Sequence, residues 1–163
     1  MKTGERIRSL KLASHSPEAT QKLGMRIGEL CLPGDVFLLA GGLGAGKTCL
    51  TQGIAWGLGI KEYAASPSFV VVRELYGRLP LYHIDLYRLD HIAEIVDLGL
   101  DDYLYGNGVC VVEWAEKGLS VLPREHLLIE IGYVSDNERG LQLKASGKRY
   151  RELLTQLGKT ADL

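Results

Sequence analysis

An octapeptide limits the folds open to this 163-residue chain more than any other feature. Residues 41–48 read Gly-Gly-Leu-Gly-Ala-Gly-Lys-Thr and fit the pattern G-x-x-x-x-G-K-[ST]. Glycines let successive backbone N–H groups point inward around an anion, and the positive end of a following helix strengthens that attraction. Lys47 can then reach the outer phosphates, and the Thr48 hydroxyl can hold Mg²⁺. The octapeptide therefore predicts a nucleoside triphosphate site.

The residues on either side of this loop predict the strand and the helix that such a site needs. Residues 35–40 are an aspartate followed by five apolar residues, a pattern typical of a buried strand. Leu50, Ile54 and Leu58 recur at helical spacing, and Gly59 ends the pattern. A glycine-rich turn with a chance lysine is the structural alternative, and the flanking strand and helix argue against it.

The remaining chain predicts one mixed α/β domain over residues 1–163. The other expected elements are an edge strand before Ser14, a helix capped by Ser16 and begun by Pro17, an antiparallel hairpin over residues 70–87, short helices near 91–98 and 101–105, a buried parallel strand over 108–114, two strands at 127–131 and 141–144, and a final helix.

Composition and charge argue against direct nucleic-acid binding and against a membrane protein. Nineteen basic and 20 acidic side chains give a net charge of −1. Residues 84–116 hold eight acids and one arginine, whereas the C-terminal tail is basic, and solvated faces are the simpler explanation. The three cysteines fit no C-x-x-C pattern, so reduced thiols are expected. With no signal peptide and no membrane-length apolar run, we expect a cytoplasmic protein.

Hydrolysis of a bound triphosphate also requires carboxylates beside the phosphates, and two strands end in suitable acids. Asp85 and Glu113 each follow a strand-like run, and strand ends in such sheets meet beside the phosphate loop. One acid would hold Mg²⁺ and the other would orient or deprotonate water, with the assignment left open. His83 lies on the same strand face as Asp85 and is interpreted as a structural group. Arg88 is a candidate for phosphate neutralisation or for a surface salt bridge.

Two nucleotide-binding classes are disfavoured by what the sequence lacks. No N-K-x-D occurs, which a GTPase would use to read guanine, and no arginine-rich lid of the kind found in small-molecule kinases follows the core. A small ATPase or an ATP-gated binding module remains.

Four segments, in this order, resemble the TsaE family, which is also called YjeE. They are residues 43–48, the Ser-Pro-Ser-Phe of 66–69, the Tyr-His-Ile-Asp-Leu-Tyr-Arg of 82–88 and the Val-Glu-Trp of 112–114. The H-x-D-L-Y-R and V-E-W elements are specific to that family, whereas the phosphate loop alone is not. The similarity covers roughly residues 16–123 and is weak beyond them.

The resemblance implies a three-layer P-loop fold with a central mixed sheet, binding of ATP and Mg²⁺, and slow hydrolysis. It also implies a role in forming the threonylcarbamoyl group on adenosine 37 of ANN-decoding tRNAs. The implied partners are the TsaD and TsaB proteins, with tRNA reached indirectly through their complex.

The resemblance also implies roles for individual residues. Asp85, Glu113 and Lys47 would be catalytic, and Thr48 and Glu113 would bind Mg²⁺. The loop at 66–69 would be mobile and would sense the state of the nucleotide. The residues that would hold the phosphates are Leu43, Gly44, Ala45, Gly46, Lys47 and Thr48.

Two departures from the family pattern and two alternative functions stay open. Most members have Asp in place of Gly42 and a second Thr in place of Cys49. Neither change touches Lys47 or Thr48, so nucleotide binding is expected to survive, whereas the hydrolysis rate and the nucleotide preference are left open. The leading hypothesis is an ATPase that resets the tRNA-modifying complex. The alternatives are a non-catalytic ATP-gated assembly module of the same complex and a small-molecule kinase.

Overall fold

The central element of the fold is a mixed β-sheet. A computed structural model of the chain describes residues 8–42, 44–64 and 71–160. The strands within these residues are β1 (Ser9–Ser14), β2 (Val36–Ala40), β3 (Val72–Tyr76), β4 (Pro80–Asp85), β5 (Val109–Glu113), β6 (His126–Ser135) and β7 (Glu138–Ser146). The α-helices there are α1 (Pro17–Leu30), α2 (Lys47–Gly57), α3 (Ile92–Asp97), α4 (Asp101–Leu104) and α5 (Lys148–Thr160), with 3-10 turns at Ala115–Lys117 and Leu119–Val121.

The order of the strands brings the predicted site residues together at the end of the sheet where the parallel strands β2, β4 and β5 finish. That order is β1-β7-β6-β2-β5-β4-β3. Strand β2 runs parallel to β5 and β6, and β4 runs parallel to β5, whereas β1, β3 and β7 pair antiparallel. Glu113 at the end of β5 is in register with both Leu39 of β2 and Asp85 of β4. The predicted mixed sheet, the hairpin and the edge position of the first strand are confirmed.

Helices cover the sheet on both faces and give the fold three layers. Alternate residues of β2 point to opposite sides, so Phe37 packs in the core beneath α1, α2 and α5, whereas Leu38 packs in the core beneath α3 and α4. Both side chains are fully buried. The apolar run of β2 is that of a parallel strand covered on both faces, as its sequence predicted.

The helix before the phosphate loop begins as predicted. The N–H of Ala19 donates to the Ser16 side chain at 3.0 Å, and Pro17 occupies the first helical turn. At the other end of α1, the Arg78 guanidinium donates to the carbonyls of Gly28 at 2.9 Å and Cys31 at 3.1 Å. The β3–β4 hairpin therefore caps the end of α1.

Helix α2, which starts at the phosphate loop, packs unusually closely on α1. Gly24 and Gly28 of α1 face Gly53 and Gly57 of α2. A Cβ atom at any of the four positions would lie between 2.1 and 2.4 Å from a backbone carbonyl oxygen of the other helix. The two backbones touch because no side chain separates them. This contact fixes the position of α2 and of the phosphate loop that precedes it.

The C-terminal helix is anchored at the beginning of β2, which is the opposite end of that strand from the phosphate loop. Arg149 of α5 pairs with the buried Asp35 through two bonds of 3.0 and 2.7 Å. The N–H of Val36 donates to the Tyr150 hydroxyl at 2.8 Å. Burial is the main factor that raises the pKa of Tyr150 to about 12. The predicted final helix thus completes the core that supports the loop strand.

The last hairpin is longer than predicted. Its strands were expected at 127–131 and 141–144, but β6 and β7 pair as far as the turn between Ser135 and Glu138. Burial alternates only as far as Ile131, and the following residues of β6 are exposed. A strand that leaves the core keeps its backbone pairing but loses its alternating pattern, so the sequence could not reveal the extension.

Two further expectations concern thiols and membranes. The cysteines are free, and burial, as the first cause, raises the pKa of both Cys31 and Cys110 to about 12, which suits inert reduced thiols. None of the helices in the described part of the chain is long and apolar enough to cross a bilayer.

Candidate nucleotide site

The loop between β2 and α2 has the backbone conformation that its glycines predict. Gly44 and Gly46 have φ values of 74° and 108°, in the left-handed region that other residues rarely adopt. Helix α2 begins directly after Gly46 and has no side-chain cap there. Its first N–H groups are therefore left for another acceptor, such as a phosphate. Leu43 lies outside the described residues.

Lys47 is buried at the base of the loop, with only 6% of its surface exposed. Its Nζ atom donates to the carbonyl of Gly41 and, at 3.2 Å, to that of Gly42. It also lies 3.6 Å from the centroid of the Trp114 ring, within the range of a cation–π contact. Desolvation lowers the pKa of Lys47, and the nearby carboxylates oppose that change.

Three carboxylates act electrostatically on Lys47. Those that raise its pKa are Glu116, Glu113 and Asp85. Asp85 is half-buried and accepts the Tyr87 N–H at 2.9 Å, whereas Glu113 is 3% exposed. The structure thus brings the two predicted acids together beside the loop lysine. Thr48 follows Lys47 in the first turn of α2 and is half-buried.

Glu116 is a site residue that sequence reasoning missed. Its Oε2 atom accepts the Gly41 N–H at 3.1 Å, at the point where β2 enters the loop. It follows β5 by three residues, beyond the strand end at which acids were sought. No local pattern marks it, because its contact joins segments 75 residues apart.

His83 belongs to the site as well. Its Nε2 atom forms a short hydrogen bond with Oε2 of Glu113, and the ring is fully buried. The pairing satisfies Nε2, but the buried Nδ1 atom has no hydrogen-bond partner among the described residues, so the interpretation of His83 as a satisfied structural group holds for one ring nitrogen only. The partner of Nε2 is a predicted catalytic acid. Its alternation with Asp85 along β4 was the signal, because residues two apart on a strand share a face.

Trp114 connects the loop lysine to the surface. It is the one non-glycine residue in the described chain with positive φ, at 58°, so the residue that follows β5 adopts the left-handed helical conformation. The Tyr87 and Trp114 rings lie 4.9 Å apart, and Tyr87 is 45% exposed. Lys117 donates to the backbone carbonyl of Tyr87. A continuous stack therefore runs from Lys47 through Trp114 to the exposed Tyr87.

The residues present fit a nucleotide with Mg²⁺. The Thr48 hydroxyl and the Asp85 and Glu113 carboxylates are hard oxygen donors of the kind that Mg²⁺ prefers. Within the described residues, no group of three or more His, Cys, Asp and Glu side chains is arranged as a metal cage. Mg²⁺ is commonly bound by one or two protein oxygens together with substrate phosphates.

The remaining predicted features fall partly outside the described chain. The proposed sensing loop at 66–69 lies outside it. The chain leading to that loop is held by Gln52 of α2, which is buried and accepts the Ala64 N–H at 2.7 Å.

The two departures from the family pattern lie within the described chain. At Gly42, a Cβ would meet no atom within 4 Å, so steric hindrance does not explain why this chain has Gly where most family members have Asp. Cys49 lines a cleft of about 100 Å³ with Arg139 and other residues.

Comparison with known proteins points to one family. The family model described as Threonylcarbamoyl adenosine biosynthesis protein TsaE matches residues 14–141. The tRNA threonylcarbamoyladenosine biosynthesis protein TsaE of Bacillus subtilis (strain 168) is 44% identical over 154 residues, covering 94% of this chain and 96% of the relative. The protein of the same name from Treponema pallidum (strain Nichols) is 41% identical over 130 residues, covering 80% of this chain and 96% of the relative.

A solved structure agrees with these relatives. The crystal structure of Bacillus subtilis YdiB aligns with a TM-score of 0.84 at 39% identity, covering 98% of this chain and 100% of that chain. The similarity extends through the C-terminal hairpin and helix, beyond the region in which motifs were recognised. The predicted P-loop fold is therefore confirmed.

Proposed function

The chain belongs to the TsaE family of threonylcarbamoyl adenosine biosynthesis proteins, and we propose that it is the Mg²⁺-dependent ATPase of that process. In this proposal it acts in the cytoplasm with TsaD and TsaB. It promotes repeated turnover of the complex that places threonylcarbamoyl on adenosine 37 of ANN-decoding tRNAs. It reaches tRNA through that complex, in keeping with its net charge of −1.

The observation that carries the proposal is the convergence of Lys47 with carboxylates at the end of β2. Glu113 is in register with Leu39 of β2 and with Asp85 of β4, and the Glu116 carboxylate accepts the Gly41 N–H at 3.1 Å. All three carboxylates raise the pKa of Lys47. A loop that only bound phosphate would need the lysine and the N–H groups alone. Carboxylates beside the lysine supply what hydrolysis adds, namely a ligand for Mg²⁺ and a group that orients water.

Each residue has a distinct task in this mechanism. The N–H groups of residues 43–48 and the positive end of α2 bind the phosphates. Lys47 exchanges the Gly41 and Gly42 carbonyls for phosphate oxygens as its acceptors. Mg²⁺, when bound, neutralises charge on those oxygens, and Thr48 and Glu113 would hold it. Asp85 orients the attacking water and accepts its proton. His83 keeps the Glu113 carboxylate in one orientation.

The aromatic stack offers a route from the nucleotide to the partners. Lys47 contacts Trp114, which contacts the exposed Tyr87. When Lys47 turns to phosphate, the ring of Trp114 loses its cation, and the Tyr87 surface changes with it. Regulation of partner affinity needs a difference of only roughly 1–3 kcal/mol between the ATP and ADP states.

The test is multiple-turnover tRNA modification by purified TsaC, TsaD and TsaB, with and without this chain. We expect several modified tRNAs per complex only when the chain and ATP are both present. Asp85→Asn should reduce ATP hydrolysis at least about 100-fold, the loss typical of a missing general base. The matched control is Asp101→Asn, which changes an exposed acid on α4.

The outcomes separate the alternatives. Unchanged yield without the chain would contradict the proposal. Modification that persists with Asp85→Asn after hydrolysis has stopped would favour the ATP-gated assembly module. Transfer of phosphate to a metabolite instead of water would favour a kinase.

A further inference from the structure

The β6–β7 hairpin reaches the phosphate loop through one side chain. Arg139 of β7 donates from Nε to the Ala45 carbonyl at 3.2 Å and from Nη2 to the Gly44 carbonyl at 3.1 Å. Its Nη1 atom donates to the carbonyls of Ser135 at 2.6 Å and Glu138 at 3.0 Å, within the hairpin itself. A single guanidinium thus joins the hairpin turn to the loop.

These bonds determine which way two peptide groups of the loop face. In a trans peptide the carbonyl and the N–H point in opposite directions, and the described chain contains no cis peptide. With the Gly44 and Ala45 carbonyls held toward Arg139, the N–H groups of Ala45 and Gly46 point away from it. The Ala45 N–H accordingly donates across the loop to the Gly42 carbonyl at 3.2 Å, and a bound phosphate would replace that carbonyl as its acceptor. Inward N–H groups are what a phosphate nest requires.

Side-chain packing holds this part of the loop only at Ala45, whose methyl group is buried in the core. A Cβ at Gly44 or Gly46 would meet no atom within 4 Å, and glycine has the greatest backbone freedom of any residue. A guanidinium suits the task because its donors form a rigid planar fork that can hold two neighbouring carbonyls. The Tyr133 ring, 4.8 Å from the guanidinium carbon, supports the fork from the hairpin side.

We propose that Arg139 is a positioning residue for nucleotide binding, which holds the phosphate loop in its binding conformation through the Gly44 and Ala45 carbonyls. The inference rests on the proposed function, since it requires that the loop binds phosphates. The competing explanation is that Arg139 only stabilises the hairpin through Ser135 and Glu138.

The experiment compares the wild-type chain with Arg139→Gln, Arg139→Lys and the control Lys144→Gln. Lys144 lies on the same strand, and its Nζ pairs with Glu130 at 2.7 Å instead of with the loop. Calorimetry gives the dissociation constants for ADP and for inorganic tripolyphosphate, which has phosphates but no nucleoside. Thermal denaturation of each protein gives its Tm.

We expect Arg139→Gln to raise the dissociation constants of both ligands by about tenfold, which corresponds to about 1.4 kcal/mol of binding free energy. Arg139→Lys should fall between that variant and the wild type, because an ammonium lacks the fork. The Tm of Arg139→Gln should stay close to that of Lys144→Gln. If Arg139→Gln does not fold, Arg139→Lys is judged by the same criteria.

Two results overturn the inference while leaving the proposed function intact. One is unchanged affinity of the Arg139 variants for both ligands. The other is a loss of affinity for ADP with unchanged affinity for tripolyphosphate, which would mean that Arg139 contacts the nucleoside instead of positioning the loop. Failure of the wild-type chain to bind either ligand would instead overturn the proposed function, and this inference with it.

Discussion

Replacing Gly53 by alanine should destabilise the protein, although alanine is the better helix former. Gly53 lies within α2 where that helix meets α1. A Cβ there would lie 2.1 Å from the Gln21 carbonyl oxygen and 2.9 Å from the Gly24 Cα. Ordinary van der Waals contact begins at 3.4 Å, so the helices would have to separate by more than about 1 Å.

The size of the effect follows from two opposing contributions. Glycine to alanine within a helix is worth about 1 kcal/mol in favour of alanine. Overpacking costs roughly 1–3 kcal/mol, and here the upper end applies because the atoms in the way are backbone and cannot change rotamer. The free energy of unfolding should therefore fall by about 2 kcal/mol, which lowers Tm by roughly 4–8 °C in a domain of this size.

Urea unfolding followed by far-ultraviolet circular dichroism measures this change, with Gly42→Ala as the matched control. That substitution adds the same methyl group, where it meets no atom within 4 Å and φ is not positive. The control should be neutral or stabilised by up to about 1 kcal/mol. A Gly53→Ala midpoint at or above that of the wild type would refute the close helix contact.

Three further predictions concern buried polar groups. The pKa of Tyr150 is raised from 10.0 to about 12, so the unfolded state ionises first and the free energy of unfolding falls between pH 10 and 12. Urea titrations at several pH values should show a shallower fall for Tyr150→Phe than for the wild type. An equal fall in both proteins would contradict this prediction. Arg149→Met should cost about 3 kcal/mol by thermal denaturation, because the buried Asp35 loses its ion-pair partner; Asp35→Asn in addition should recover part of the loss. His83→Phe should cost at least about 2 kcal/mol in urea unfolding by leaving Glu113 buried and unpaired, and Glu113→Gln should reduce that cost.

Local patterns were sufficient for much of the fold. The apolar run before the loop, the cap at Ser16 and the alternation in the hairpin each depend on neighbours along the chain, and each element formed as predicted. Asp85 and Glu113 were found because parallel strands end at one edge of the sheet. That residues 1–163 form one domain stays a prediction.

The parts that sequence reasoning missed are contacts between distant segments. Glu116 meets Gly41 across 75 residues, and Arg139 meets Gly44 across 95. Neither belongs to a periodic pattern, so only the assembled sheet shows that it faces the loop. The left-handed turn at Trp114 has the same origin, because an aromatic residue gives no local sign of positive φ.

A crystal structure with a non-hydrolysable ATP analogue and Mg²⁺ would show whether the loop at residues 41–48 binds the nucleotide. We expect the triphosphate to lie against the N–H groups of residues 43–48, with Lys47 moved from the Gly41 and Gly42 carbonyls onto phosphate oxygens. Mg²⁺ should lie between the Thr48 hydroxyl and Glu113, with Asp85 facing the terminal phosphate. An analogue bound elsewhere, with Lys47 still on the loop carbonyls and Trp114, would refute the proposed nucleotide site.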